Sequence, residues 1–190
     1  MNKHIAMFWI FLFLLGMEAC DGSEKEDFLP ENMETIEEET GQESSEEESE
    51  LVPLEGNQLD IQKMVQLVND ARTKGVSCDG IKYPPVAPLK WNSQLESAAF
   101  KHSRDMESLN YFSHTSKNGQ SFGDRILKEG YTFKAAGENI AKGHPSEETV
   151  VKGWLASKGH CANIMSASFT EMGVARSGEY WTQDFGAPMQ

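Results

Sequence analysis

The chain has 190 residues and a formal net charge of −13, most of it in residues 21–56, which contain fifteen Asp or Glu residues and one lysine. The rest is nearly neutral and has no basic stripe to neutralise phosphates, which argues against a nucleic-acid-binding protein. The length suits one folded domain with extensions.

Residues 1–19 have the pattern of an export signal. Lys3 gives a positive start, and the apolar run Ile5–Gly16 is too short to span a bilayer comfortably. Cys20 then resembles the modified cysteine of a bacterial lipoprotein, so we predict lipid attachment there. Cleavage by an ordinary signal peptidase is the alternative, because Glu18 fits the lipoprotein motif poorly. We therefore expect an exported protein, either a lipoprotein of the cell envelope or cell surface, or a secreted protein.

Residues 20–57 are rich in Glu and Ser and poor in aromatic residues. Such a segment cannot bury enough apolar surface to offset the entropy of ordering, so it is predicted to be an acidic disordered linker. The folded domain is predicted over residues 58–190. If Cys20 serves targeting, Cys78 and Cys161 remain in the domain, and the oxidising compartment reached by export predicts a disulfide between them.

The first half of the domain is predicted to contain two helices. Apolar residues at helical spacing predict a helix that begins near Leu59 and ends at Gly75. We expect a loop over Val76–Pro88, because its three prolines exclude regular helix. Asn92 suits the N-cap of the second helix, and Asn110 suits its left-handed end.

The second half is predicted to mix helices with short strands. Helices are expected over Ser121–Glu129 and from Ser146 to about Ser157. Strands are expected over Tyr131–Ala135, Glu138–Ala141, Glu171–Arg176 and Glu179–Phe185, the last two forming a closing hairpin. Helices around a small, mainly antiparallel sheet indicate an α+β fold.

Five short motifs occur in one order within residues 59–188. They are Phe112-Ser113-His114-Thr115, Gly137-Glu138-Asn139-Ile140-Ala141, Val151-x-x-Trp154, Gly159-His160-x-Ala162-Asn163-Ile164 and Tyr180-Trp181-Thr182-Gln183. In this combination the chain resembles a bacterial member of the CAP superfamily, which groups cysteine-rich secretory proteins, antigen 5 and pathogenesis-related class 1 proteins. The resemblance implies a three-layer α-β-α sandwich with a small, mainly antiparallel sheet.

The resemblance also implies a cleft lined by two histidines and acidic residues. Carried over by motif, these are His114, His160 and Glu138, while Ser157 stands where eukaryotic members place a second acid. Structural alternatives remain open for each residue: the histidines could fix a loop or cap a helix, and Glu138 could hold the sheet. His102, on the apolar face of the second helix, is predicted to be a buried core or cleft-wall residue.

Neutral imidazole suits Zn²⁺, so we predict weak zinc binding through His114 and His160, with no cofactor required. Ser157, His160 and Glu138 include the residue types of a hydrolase triad. However, the sequence lacks the Gly-x-Ser-x-Gly turn that activates such a serine, and we assign no catalytic residue.

Three functions are consistent with these residues. The favoured hypothesis is a noncatalytic, membrane-anchored module whose His/Glu cleft binds a lipid, a cell-wall fragment or another protein. The alternative is a metal-dependent hydrolase or peptidase in which His114 and His160 bind the metal and Glu138 is the base. The absence of a second acid and of a His-Glu-x-x-His motif weighs against that alternative. A structural surface domain on a stalk is the third.

Overall fold

The structure is a computed structural model that describes residues 51–189. The predicted export signal, Cys20 and most of the predicted linker lie outside the described residues. The elements, in chain order, are α1 Ile61–Lys74, β1 Val76–Cys78, β2 Ile81–Tyr83, β3 Lys90–Trp91, α2 Ser93–Ser108, α3 Phe122–Lys128, β4 Phe133–Lys142, α4 Glu147–Ala156, α5 Lys158–Ile164, β5 Glu171–Ser177 and β6 Tyr180–Pro188. No helix within the described range is long and apolar enough to cross a membrane.

A four-stranded sheet with the order β3-β5-β6-β4 forms the centre of the domain. The long strands β4, β6 and β5 pair antiparallel, whereas the short β3 pairs parallel to β5. Strands β1 and β2 form a separate antiparallel hairpin. The prediction of an α+β fold with a small, mainly antiparallel sheet is therefore confirmed.

Helices cover both faces of this sheet. Helix α2 packs so closely on β5 that a side chain at Gly173 would overlap the backbone of Glu96. On the opposite face, α1, α4 and α5 contribute Met64, Trp154 and Ile164 to the largest apolar core, which they share with Phe185 of β6. These layers confirm the three-layer α-β-α sandwich.

Side chains cap two helix starts, and the N-cap predicted at Asn92 is confirmed. The Asn92 side chain accepts hydrogen bonds from the backbone N–H groups of Gln94 and Leu95, at 2.9 and 3.1 Å. Ser121 and Asp124 form a reciprocal capping box at the start of α3. Because these side chains satisfy backbone donors that a helix start leaves unpaired, short local motifs fix both boundaries.

Two predictions within the domain are wrong. Residues 76–83 form the β1–β2 hairpin instead of a loop, because Asp79 and Gly80 both adopt positive φ, at 49° and 80°, as a tight hairpin turn requires. Residues 133–142 form one strand instead of two. Gly137 does not interrupt it; the glycine leaves room for Phe169, whose ring would lie 2.8 Å from an added Cβ atom.

A buried arginine joins α1 to the end of α5. Arg72 is 1% exposed, and it donates hydrogen bonds to the carbonyl groups of Ala87, Ile164 and Ser166 at 2.7, 2.6 and 2.9 Å. The C-terminal end of a helix carries partial negative charge, so a cation there is favourable. Arg72 therefore stabilises the position of the short helix that carries His160.

The predicted disulfide is present. Cys78 of β1 is bonded to Cys161 of α5, with Cα atoms 5.9 Å apart, a separation typical of disulfides. Both cysteines are fully buried. The bond therefore ties the hairpin to α5 at the residue that follows His160.

Candidate functional site

Three different elements supply the predicted cleft residues. His114 lies in the loop between α2 and α3, Glu138 in β4 and His160 in α5. The loop is held from both sides, because Arg125 donates to the His114 carbonyl at 3.1 Å and the His102 ring bonds the Ser113 carbonyl at 2.9 Å. His114 is thus presented from a loop that buried side chains hold in place.

Glu138 is the centre of a buried polar cluster. Its side chain is fully buried. One carboxylate oxygen lies 2.6 Å from His114 Nδ1, and the other accepts a hydrogen bond from Arg125 Nη2 at 2.5 Å. The carboxylate is therefore inaccessible to a substrate, and each of its oxygens already contacts a side chain of this protein.

This arrangement selects one tautomer of His114. A carboxylate paired with arginine accepts hydrogen bonds, so Nδ1 of His114 carries the hydrogen and donates it to Glu138. When the ring is neutral, Nε2 then holds the lone pair. Because the His114 side chain is half exposed, this ring can accept a hydrogen bond or ligate a metal.

His160 lies close enough to His114 for the two rings to interact electrostatically. Partial burial and, secondarily, the nearby His114 lower the pKa of His160. Two amide side chains tie α5 to β4, because Asn139 donates to the His160 carbonyl at 3.2 Å and Asn163 donates to the Glu138 carbonyl at 3.1 Å. At neutral pH His160 is therefore neutral.

Ser157 occupies the junction between α4 and α5. It ends one helix and begins the next, and its backbone carbonyl accepts from the Cys161 N–H at 2.8 Å. Its hydroxyl makes no helix-capping hydrogen bond. This position is that of a helix-junction residue, and nothing in the geometry supports a nucleophilic serine.

His102 is fully buried in α2, as predicted. Burial lowers the pKa of His102 and is the largest influence on it. The ring nitrogen Nε2 is hydrogen-bonded to the Ser113 carbonyl. Its Nε2 lies 4.0 Å from Glu138. His102 is therefore a buried residue that lies behind Glu138 and the His114 loop.

Two residues of the buried cluster, Arg125 and Asp184, were not predicted from the sequence. Arg125 reaches Glu138 from α3, and Asp184 lies opposite Glu138 in the pairing of β4 with β6. Burial and, next, the Glu138 charge raise the pKa of Asp184 well above its usual value. The one signal for Asp184 was an acid within the predicted strand Glu179–Phe185.

Within residues 51–189, no three His, Cys, Asp or Glu side chains lie together in a way that could hold a metal ion. Glu138 does not join the two histidines as a third ligand, since Arg125 and His114 already contact its oxygens. The prediction of weak zinc binding therefore rests on His114 and His160 alone, and it stays a prediction.

A concave surface, the α1–α4 groove, lies away from these histidines. Its volume is about 370 Å³, and it is lined by the apolar residues Leu67, Ala71, Val76, Val151 and Leu155 together with Asp70, Lys74, Gly75, Glu148 and Lys152. Two of its charged groups are paired with lysines, Asp70 with Lys74 and Glu148 with Lys63. In the described part of the chain, Lys152 has no carboxylate partner.

Known proteins similar to this chain share its domain. The chain is 42% identical to the uncharacterized protein YkwD of Bacillus subtilis over 125 residues, which are 65% of this chain and 45% of that protein. It is 43% identical to the uncharacterized membrane protein YlbC of the same organism over 53% of this chain and 29% of that protein. The matched region thus spans less than half of each relative.

A solved structure and a family profile agree with these relatives. An extracellular protein containing an SCP domain from Bacillus anthracis superposes with a TM-score of 0.59 and 34% identity, over 66% of this chain and 39% of that one. The profile of the cysteine-rich secretory protein family, CAP, matches residues 65–185. The chain therefore belongs to the CAP family of cysteine-rich secretory proteins.

Proposed function

We propose that this protein is an exported, noncatalytic ligand-binding module and that its main ligand is a single-chain lipid with an anionic head group. The α1–α4 groove is the observation that carries this proposal. Its volume of about 370 Å³ lies within the range of small-ligand sites, and apolar side chains form most of its lining. Each methylene buried there contributes about 0.8 kcal/mol, so an acyl chain would bind without many polar contacts.

The charge at the groove suggests the orientation of such a lipid. Lys152 is exposed on α4 and belongs to the groove lining. The lining holds two acids and two lysines, and because Asp70 is paired with Lys74 and Glu148 with Lys63, Lys152 is left to meet an anionic head group. This complementarity favours a fatty acid or a phospholipid-derived acyl chain over a neutral cell-wall sugar.

The cleft geometry supports a noncatalytic role. A general base has to reach the proton that it abstracts, but the Glu138 carboxylate is buried and held by Arg125 and His114. The hydrolase alternative assigns the base to Glu138, and that carboxylate is not accessible to a substrate. We propose that His114 and His160 in the cleft form a secondary polar site, which binds either a ligand head group or, weakly, Zn²⁺.

Binding of radiolabelled palmitate to the delipidated full chain tests the lipid proposal. Leu155→Trp, which fills the groove, should weaken binding by roughly tenfold or more, and Lys152→Glu by about three- to tenfold. The matched control is Lys82→Glu on β2, an exposed lysine outside the groove, which should bind like the wild type. Equal affinities in all four proteins, or none in the wild type, would refute the groove as a lipid site.

We also propose that the protein is exported and anchored to the membrane through Cys20. The similar membrane protein YlbC and the similar extracellular SCP-domain protein support a location outside the cytoplasm in general. Cys20→Ser should shift the protein from the membrane fraction to the soluble extracytoplasmic fraction, because the acyl chains supply the membrane affinity. Fractionation followed by immunoblotting measures this distribution. If both proteins distribute identically, the lipid anchor is not at Cys20.

A further inference from the structure

Asp184 is a fully buried acid for which the proposed function has no use. It lies in β6, directly opposite Glu138 of β4 in the antiparallel register, and 0% of its surface is exposed. Side chains of directly paired residues lie on the same face of a sheet. The two carboxyl groups therefore face the same layer, into which Arg125 of α3 and His102 of α2 also reach.

Neither oxygen of Asp184 accepts a hydrogen bond from any group in residues 51–189. An ionised carboxylate in this position would be buried, charged and unpaired, a costly arrangement. Its polar neighbour is the carboxylate of Glu138, which can only accept. A contact between these two groups is favourable when one of them carries a hydrogen.

The charges around the pair indicate that it carries one proton. Arg125 supplies a single positive charge, and it contacts Glu138 at 2.5 Å. His102, 4.0 Å from Glu138, adds none at neutral pH, because burial lowers its pKa. The third titratable partner, His114, lies on the outer side of Glu138. One buried negative charge is thus balanced by Arg125, whereas a second would not be.

We propose that Asp184 remains protonated at neutral pH, donates its carboxyl hydrogen to Glu138, and thereby acts as a positioning residue for the cleft histidine His114. Glu138 then accepts from three donors, which are Asp184, Arg125 and His114. With its orientation fixed, Glu138 keeps Nδ1 of His114 as a donor and leaves the lone pair on Nε2. The inference concerns the site itself and holds whatever ligand the protein binds.

The proposal predicts a particular dependence of stability on pH. Burial and the Glu138 charge raise the pKa of Asp184 in the folded protein, whereas the unfolded chain releases this proton near pH 4. The folded state therefore binds more protons above that pH, and stability falls as pH rises toward the folded-state pKa. Asp184→Asn removes this dependence, since an amide donates a hydrogen bond but does not ionise.

The test compares the melting temperature Tm of the full chain, wild type and Asp184→Asn, between pH 5 and pH 8. The difference, Asn variant minus wild type, should increase with pH by about 5 °C or more. Asp79→Asn in the exposed β1–β2 turn is the matched control, and its difference should not change with pH. A difference for Asp184→Asn that is constant or decreases with pH would overturn the proposal.

A measurement on the wild type alone covers the case in which the variant does not fold. With ¹³C-labelled aspartate carboxyl groups, NMR at pH 7 should show one carboxyl carbon at the chemical shift of a protonated acid. That signal should be absent from Asp184→Asn if this variant folds. A spectrum in which every aspartate is ionised at pH 7 would overturn the assignment, as would the same protonated signal in glutamate-labelled protein only.

Discussion

The Arg125→Met variant is expected to lose about 3–5 kcal/mol of unfolding free energy, the typical result of removing one partner from a buried ion pair. The Arg125 side chain is 7% exposed and that of Glu138 is 0% exposed. Methionine keeps much of the side-chain volume but leaves the Glu138 charge without its cation. Denaturant unfolding of the full chain measures the change.

The double variant Arg125→Met/Glu138→Gln is the control for this result. It removes both charges, so it should recover part of the lost stability, and the two substitutions should be clearly non-additive. Arg125 also donates to the carbonyl groups of His114 and Gln120, so recovery should be incomplete. A loss below about 1 kcal/mol in the single variant would show that the pair does not organise the cleft.

Removing the Cys78–Cys161 disulfide should cost about 4 kcal/mol, because the bond closes a long loop, with a sequence separation of 83. Cys78→Ala/Cys161→Ala is the suitable variant, since both sites are fully buried. Helix α5 should also become less ordered, because its tie to the hairpin is lost. Denaturant unfolding measures the stability, and hydrogen exchange of the Met165 amide, which donates to the carbonyl of residue 161 at 2.9 Å, measures the local order.

Two comparisons separate the disulfide from the packing of the sulfur atoms. The unfolding free energy of the wild type measured with reductant present should equal that of the double alanine variant, apart from the small cost of the two cavities that alanine leaves. Peptide mapping without reductant should recover Cys78 and Cys161 as one linked pair. Equal stabilities of wild type and variant under oxidising conditions would show that the bond adds nothing to the fold.

Local chemistry made much of this fold predictable. Asn92 and Ser121 mark helix starts because a cap acts within three residues, and α1 follows from apolar spacing that ends at Gly75. The β1–β2 hairpin was missed because its strands have three residues each and prolines follow closely. Two strands were predicted, over Tyr131–Ala135 and Glu138–Ala141, yet Gly137 between them continues one strand and admits Phe169 from a distant part of the chain.

The site residues that belong to sequence motifs could be predicted. Those that reach the site only through tertiary contacts could not. His114, Glu138 and His160 were identified through the family resemblance. Arg125 stands in a short helix whose local pattern gives no reason to bury a charge. Asp184 belongs to a strand that is buried on both faces, and one sequence alone does not reveal which acid such a strand accommodates.

Native mass spectrometry of the gently purified full chain decides whether this protein carries a lipid without transforming it. We predict an added mass in the range of an acyl lipid that disappears on denaturation, which distinguishes it from any covalent anchor. Leu155→Trp should lack this added mass, whereas Lys82→Glu should retain it. A wild type that carries no lipid, together with chelator-sensitive hydrolysis of a peptide mixture, would instead identify the protein as a metal-dependent hydrolase.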